Sequence, residues 1–304
     1  MDSQPFLSKL TNELAQSPKI RQELLRRLSS QIGRTVITLF TSFRYPVTLD
    51  SGDADLLEEI LHATNLHNGL CLVLNSIGGD SIAAERIVQT CRVYAKEAFD
   101  VLVPRRAKSA ATLIALGADR ILMGETSALG RIDPQVVISG SDGIESVMPA
   151  DIITQSYDDL MAKATCAEGR LEPYLQQLSK YDAREIERLR RSVILAGDMA
   201  TKLLKSRMLS KVDRKLIRKK IALFLEPGLT KAHGRDIYYD DVQKVGLNVE
   251  LIKHDSKIWD TVSEIYVRSS HCVSSTHCKL IESPDHHFSL PWEDHKEIAT
   301  PDSD

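Results

Sequence analysis

Two short segments carry residue types suited to stabilising a developing negative charge. The first is LVLN-SIGGD-SIAAERIV. Gly78 and Gly79 have no Cβ, so the backbone there can take positive φ and approach a ligand closely. N–H groups exposed at such a turn, where a helix begins, can stabilise an anion or an oxyanion. The pattern also fits a plain strand-to-helix turn capped by Asp80 or Ser81. The second segment is VLVP-RRAKSAAT-LIALGA, in which Ser109 opens a run of small residues. A serine at a helix start lies near free N–H groups and the positive end of the helix dipole, which favours an alkoxide-like nucleophile. It is equally a preferred N-cap. Ala110 and Ala111 leave room for a substrate against the backbone.

Both turns must be positioned by the elements around them. RTVITLFTS, GLCLVLNS, FDVLVP and DRILMG read as strands, and the second is a short continuous apolar run of the kind buried on both faces. Between them lie DADLLEEILHA, opened by Asp50 and Ser51, then SIAAERIVQTCRVYAK, then SAATLIALGA, all read as helices. Strand alternating with helix implies a parallel sheet with crossover helices, an α/β core. Ligands in such sheets bind beside turns at the carboxyl ends of strands. Residues 7–31 read as helical with an interruption at Pro18. DPQVVISG-SDG-IESVMP reads as a hairpin. Residues 149–225 read as charged helices, followed by a helix, strand and helix through KIWDTVSEIYVRSSH. The divisions expected are an N-terminal helical segment at 1–30, a main domain at 31–282 with a helical insertion at about 149–225, and a poorly ordered tail at 283–304.

Composition removes several function classes. The chain has 304 residues and a formal net charge of −3, so no global basic field points to nucleic acid or to an anionic membrane. Aromatic residues make up 5%, too few for a single-strand stacking platform. No apolar run reaches the roughly 18 residues of a membrane span, and the first 20 residues lack the apolar core of a secretion signal. The five cysteines are irregularly spaced, which favours a reducing, cytoplasmic setting.

The segments NSIGGDSIAAERIV, VPRRAKSAATLIALGADRILMG and SALGRIDPQ, with HGRDI, VGLNVELI and IWDTVSEIYVRSSH further on, resemble the serine dehydrogenase proteinase family. That family is similar to signal peptide peptidase A and, more distantly, to the Clp protease peptidase subunit. The resemblance covers roughly residues 30–282. It implies a Clp-protease/crotonase-like parallel sheet core with crossover helices and an added helical region. It also implies that Ser109 is the nucleophile, and that the N–H groups of Gly78 or Gly79 and of Ala110 form the oxyanion hole. The stretch after Asp133, Pro134 and Gln135 resembles the strand along which peptide substrates lie by strand addition. There are departures. Ile77 stands where the turn usually has proline, and Ala111 where glycine usually follows; positive φ at Ala111 would be strained.

A serine nucleophile also needs a base. Where the Clp peptidase subunit has a histidine, GRIDPQ has none, and Asp133 near its usual pKa is a poor base for a hydroxyl. Signal peptide peptidase A-like enzymes use a lysine on a later helix, which points to Lys163, whose burial would lower its pKa. Lys108 is adjacent to Ser109 and ranks lower, because neighbouring side chains diverge. Lys202 and Lys205 qualify only if the helical region folds back over the cleft. His233 reads as a loop histidine with a structural hydrogen bond.

His271, Cys272, His277, Cys278, His286 and His287 match no usual zinc spacing, so no metal is expected, and no cofactor. The run KVDRKLIRKK reads as a solvated helix face with Leu216, Ile217 and Ile221 as its buried stripe. The resulting expectation is a serine peptidase-like hydrolase acting on a peptide or protein substrate, assembled as a homo-oligomer, with neither a nucleic-acid partner nor an integral membrane segment. The alternatives are a catalytically silent oligomeric scaffold and a crotonase-like acyl-CoA enzyme that would use the same two N–H groups on a thioester enolate.

Overall fold

The computed structural model describes residues 18–44, 47–139, 145–167, 169–225 and 235–292. The chain begins with α1 (Pro18–Ile32), β1 (Thr35–Thr41), α2 (Ser51–Ala63), β2 (Leu70–Asn75), α3 (Ser81–Tyr94) and β3 (Phe99–Val103). It continues through β4 (Arg106–Ala107), α4 (Ala110–Leu116), β5 (Arg120–Gly124) and β6 (Ala128–Leu129). A hairpin of β7 (Gln135–Ser139) and β8 (Glu145–Pro149) leads to four helices: α5 (Ala150–Thr165), α6 (Glu172–Leu178), α7 (Ala183–Ser206) and α8 (Arg214–Leu225). The last described elements are β9 (Ile237–Tyr238), α9 (Tyr239–Lys244), β10 (Val249–Ile252), α10 (Lys257–Ser275), β11 (His277–Glu282) and β12 (His287–Pro291).

The main sheet runs β10-β5-β3-β2-β1-β11-β12. Its first five strands are mutually parallel, and β11 and β12 close one edge antiparallel. Successive strand side chains point to opposite faces, and each face has its own core. Ile37, Leu39, Leu72, Leu74, Val101 and Met123 join a cluster with α2, α3, α4, α7 and α8. Val36, Phe40, Cys71, Val73, Leu102 and Leu122 join another with α1 and α10. Helices on both faces are the reason β2 reads as an unbroken apolar run. The fold is the mixed, mostly parallel α/β sheet with crossover helices that the sequence implied. Cys71 serves as a small buried hydrophobe, and burial pushes its thiol well above the ordinary range.

Residues 277–282 form β11 beside β1, with Thr38 opposite Glu282. One reading needs correction. The segment read as a poorly ordered tail from 283 includes β12, paired with β11 from His287 opposite Glu282 to Pro291 opposite His277. β11 is held by distant partners. Lys279, 5% exposed, reaches Asp50 at 2.5 Å and Asp53 at 2.9 Å. Buried Glu282 takes a two-pronged bond from Arg21, at 2.7 and 2.8 Å. Such pairings leave no periodicity for sequence to reveal. Among the described residues no helix is long and apolar enough to cross a membrane.

Candidate active site

The two turns leave the carboxyl ends of the neighbouring strands β2 and β3 and are joined there. Ser76 N–H donates to the Arg106 carbonyl at 3.1 Å, and Lys108 N–H donates to the Ser76 carbonyl at 3.0 Å. The di-glycine turn is fixed on its other side by Leu49. Leu49 N–H donates to the Gly78 carbonyl at 2.8 Å, and Asp80 N–H donates to the Leu49 carbonyl at 2.9 Å. The fully buried Ser76 hydroxyl accepts from Gly78 N–H at 3.1 Å and from the Thr41 hydroxyl at 2.9 Å. These bonds leave the Gly79 N–H without an acceptor among the described residues. Asp80 caps α3 through Ile82 N–H at 2.9 Å, as the plain reading of this turn expected.

Glycine is required at both positions. Gly78 has φ +97°, and a Cβ there would fall 2.7 Å from the Ser109 Cβ and 2.9 Å from the Ala110 nitrogen. Gly79 has φ +153°, and a Cβ there would meet the Leu49 backbone at 2.3 Å. The turn therefore lies directly against Ser109.

Ser109 does not behave as an ordinary cap. Its φ of +49° and ψ of −120° are close to the first central position of a type II′ turn, about +60° and −120°. The Ala111 N–H closes that turn onto the Lys108 carbonyl at 2.9 Å. Ser109 is the one non-glycine residue with positive φ among the described residues. The strain anticipated at Ala111 thus falls on the serine instead, at a cost of order 1–3 kcal/mol. The Ser109 side chain makes no capping bond, so its hydroxyl stays free for other work. Ala110 N–H, at the first position of α4, likewise has no acceptor among the described residues.

Ser109 and Gln135 form the shared wall of two cavities. One, about 230 Å³, is lined by Gly79, Asp80, Ser81 and Ala110, by Ile132, Asp133 and Pro134, and by Ser192, Leu195 and Ala196 of α7. The helical region does fold back over the cleft. The other cavity, about 310 Å³, is lined by Phe43, Ile77, Arg106, Lys108, Arg131 and Asp236. Asp133 is buried beside the Arg131 guanidinium, 3.5 Å away, and Arg131 also engages Asp151 and the Leu225 carbonyl. These contacts hold the Asp133–Gln135 stretch between the sheet and the helical layer.

The lysines fall differently from expectation. Lys163 lies in the last turn of α5, is exposed, and lines neither cavity. It is therefore not brought to Ser109, because the register of α5 turns it toward solvent. Lys202 pairs with Glu85 at 2.7 Å, and Lys205 donates to the Ser210 and Val212 carbonyls. Lys108 does line a cavity with Ser109. A second small sheet, β4-β6-β9, explains how. Lys108 follows β4, Asp236 precedes β9, and β6 lies between them. The Lys108 ammonium pairs with the Asp236 carboxylate and donates to the Leu129 carbonyl at 3.3 Å. Asp236 was missed in the sequence because it is 128 residues from Lys108 and immediately precedes a strand of only two residues. His233 lies outside the described residues. Among the described residues no three His, Cys, Asp or Glu side chains gather as a metal site.

Residues 9–165 match the family described as ClpP-like SDH-type serine proteinase. The chain belongs to that family. Two uncharacterised proteins of Methanocaldococcus jannaschii are similar to this SDH-type chain. One is 33% identical over 124 residues, covering 38% of this chain and 43% of the relative. The other is 35% identical over 82 residues, covering 26% and 28%. The chain thus spans less than half the length of these curated relatives. Among solved structures, a membrane-bound stomatin-specific protease, a serine-to-alanine mutant, aligns with a TM-score of 0.41 and 16% identity, over 67% of this chain and 75% of that one.

Proposed function

We propose that this SDH-type proteinase hydrolyses peptide bonds through Ser109. The observation that carries the reading is the juxtaposition of an uncapped, positive-φ serine with a di-glycine turn at the wall of an open cleft. Strained residues of this kind cluster at active sites. In this reading the Ser109 oxygen adds to the scissile carbonyl carbon, forming a C–O bond. The carbonyl oxygen takes up the negative charge and accepts from the Gly79 and Ala110 N–H groups. Gly78 is the less suitable donor, since its N–H is already directed at Ser76. Removing one such donor typically costs 10²–10³ in rate.

The hydroxyl proton passes to a base, for which Lys108 in its neutral form is the candidate. The base then returns that proton to the departing amine as the C–N bond breaks, and water releases the acyl group in a second cycle. Asp236 and the Leu129 carbonyl hold the lysine nitrogen in the cavity beside the serine. Asp133, Pro134 and Gln135 border the cleft and lead into β7, which supports an extended substrate lying along them.

A fluorophosphonate probe tests the reading. Labelling of the wild type at Ser109, absent from Ser109→Ala, is expected. A folded wild type that takes up no probe sinks it and favours a silent scaffold, or, if it binds acyl-CoA, the crotonase-like alternative. Closed assemblies suit this class of α/β unit, so a homo-oligomer is expected; a monomer by light scattering at micromolar concentration would refute that.

A further inference from the structure

The second cavity beside Ser109 has an uneven charge balance. Three cations and one carboxylate line it: Arg106, Lys108, Arg131 and Asp236. Lys108 is paired with Asp236. Arg131, 2% exposed, is paired with Asp133 and Asp151. Arg106 has no carboxylate partner among the described residues. Its guanidinium carbon lies 4.4 Å from the centre of the Phe43 ring, a cation–π contact. The backbone of Arg106 is pinned on both sides: its N–H donates to Asn75 Oδ1 at 3.2 Å, and its carbonyl accepts from Ser76 N–H. Arg106 is exposed, and its guanidinium N–H groups have no acceptor among the described residues. That fork matches a carboxylate in two-pronged geometry.

We infer that this cavity is a carboxylate subsite, in which Arg106 anchors an anionic group of the peptide substrate next to the scissile bond. Its meaning for catalysis rests on the Ser109 reading. The volume of about 310 Å³ is at the lower end for small-ligand pockets, enough for one side chain or one chain terminus. A single unpaired guanidinium suits a monoanion better than a phosphate, which carries nearly two charges at neutral pH. The carboxylate has two possible sources: an Asp or Glu side chain, or the C-terminus of the substrate. Arg106 is a specificity-determining residue in this account and takes no part in bond making.

Binding tests this without turnover. Fluorescein-labelled alanine-based decapeptides carry Glu or Gln at each position in turn, with a free or amidated C-terminus. Their affinities for full-length Ser109→Ala protein are read by fluorescence anisotropy. A preference of about tenfold for Glu over Gln at one position assigns a side-chain subsite, and the same preference for free over amidated ends assigns a terminal one. Arg106→Gln should erase either preference, and Arg106→Lys should retain only part of it. Phe43→Leu, which keeps the arginine but removes its stacking partner, should weaken the preference and provides a second variant if Arg106→Gln melts early. Equal affinities throughout, or a preference that survives Arg106→Gln, overturn the inference. Probe labelling of the wild type, run in parallel, separates the two claims. Labelling without a carboxylate preference sinks only the subsite, and an Arg106-dependent preference without labelling sinks only the nucleophile.

Discussion

Gly78 lies so close to Ser109 that a methyl group on the glycine would come within 2.7 Å of the serine Cβ. Nothing nearby can give way, since the other close atoms are the Lys108 carbonyl oxygen and the Ala110 nitrogen, both backbone. Gly78→Ala is therefore expected to push the turn away from Ser109 and to abolish fluorophosphonate labelling. It should also lower the melting temperature, because an alanine at φ +97° is strained independently of the clash. Unchanged labelling in Gly78→Ala would contradict this packing.

Ser109 itself should cost stability. Glycine adopts φ +49° freely, whereas alanine and serine do not. Ser109→Gly is expected to be more stable than Ser109→Ala by about 1 kcal/mol, with both devoid of labelling. Thermal melts of the pair decide the matter, and an alanine variant at least as stable as the glycine one would argue against strain at this residue.

Lys108 can act as a base or only as a fixed positive charge, and one substitution separates these roles. Arginine keeps the charge but does not release its proton at working pH. If Lys108 is the base, Lys108→Arg and Lys108→Ala should both lose labelling rate by 10²-fold or more, the range general bases supply. Restoration of the rate in Lys108→Arg would reduce Lys108 to an electrostatic role.

Lys279 ties β11 to the start of α2, and its loss should be sensitive to pH. Burial works against its charge, but Asp53 and Asp50 outweigh that and raise its pKa, so its contribution persists until strongly alkaline pH. Burial would raise Asp50 too, yet the Lys279 bond and ammonium hold it below its usual value. Its share of stability is present above the ordinary carboxylate pKa of about 4 and fades as pH falls through the lowered value. Asp53 runs the other way: burial keeps it raised. Lys279→Met leaves Asp53 buried and unpaired, a loss of about 3 kcal/mol at pH 7. Urea titrations should show the gap between variant and wild type narrowing as pH falls and the stranded carboxylates take up protons. A gap that widens in acid would contradict the assignment.

Much of the frame was legible because its signals are local. Leu70–Asn75 is apolar throughout and buried throughout, and Asp50 caps α2 as its position before Ser51 suggested. The di-glycine turn and the small residues after Ser109 were legible for the same reason. What escaped depends on distance or on an exception. Lys108 meets Asp236 across a two-residue strand, a pairing with no periodicity. Lys163 falls on a helix whose facing is set by α7 packing beside it, not by its own pattern. The Ser109 backbone occupies a region serine rarely visits, so a cap was the natural reading until the Gly78 contact showed why the turn is forced. β11 and β12 were lost because α10 ends in polar residues without a strong stop signal.

The bond pair between Leu49 and the di-glycine turn also governs how this region can open. Leu49 immediately precedes the cap of α2, and that cap is clasped by Lys279 from the sheet edge. The Asp80 amide proton is held by the Leu49 carbonyl and exchanges when that bond opens. Its deuterium uptake is therefore a gauge of whether a variant has disturbed the anchorage of the turn or only the chemistry it carries.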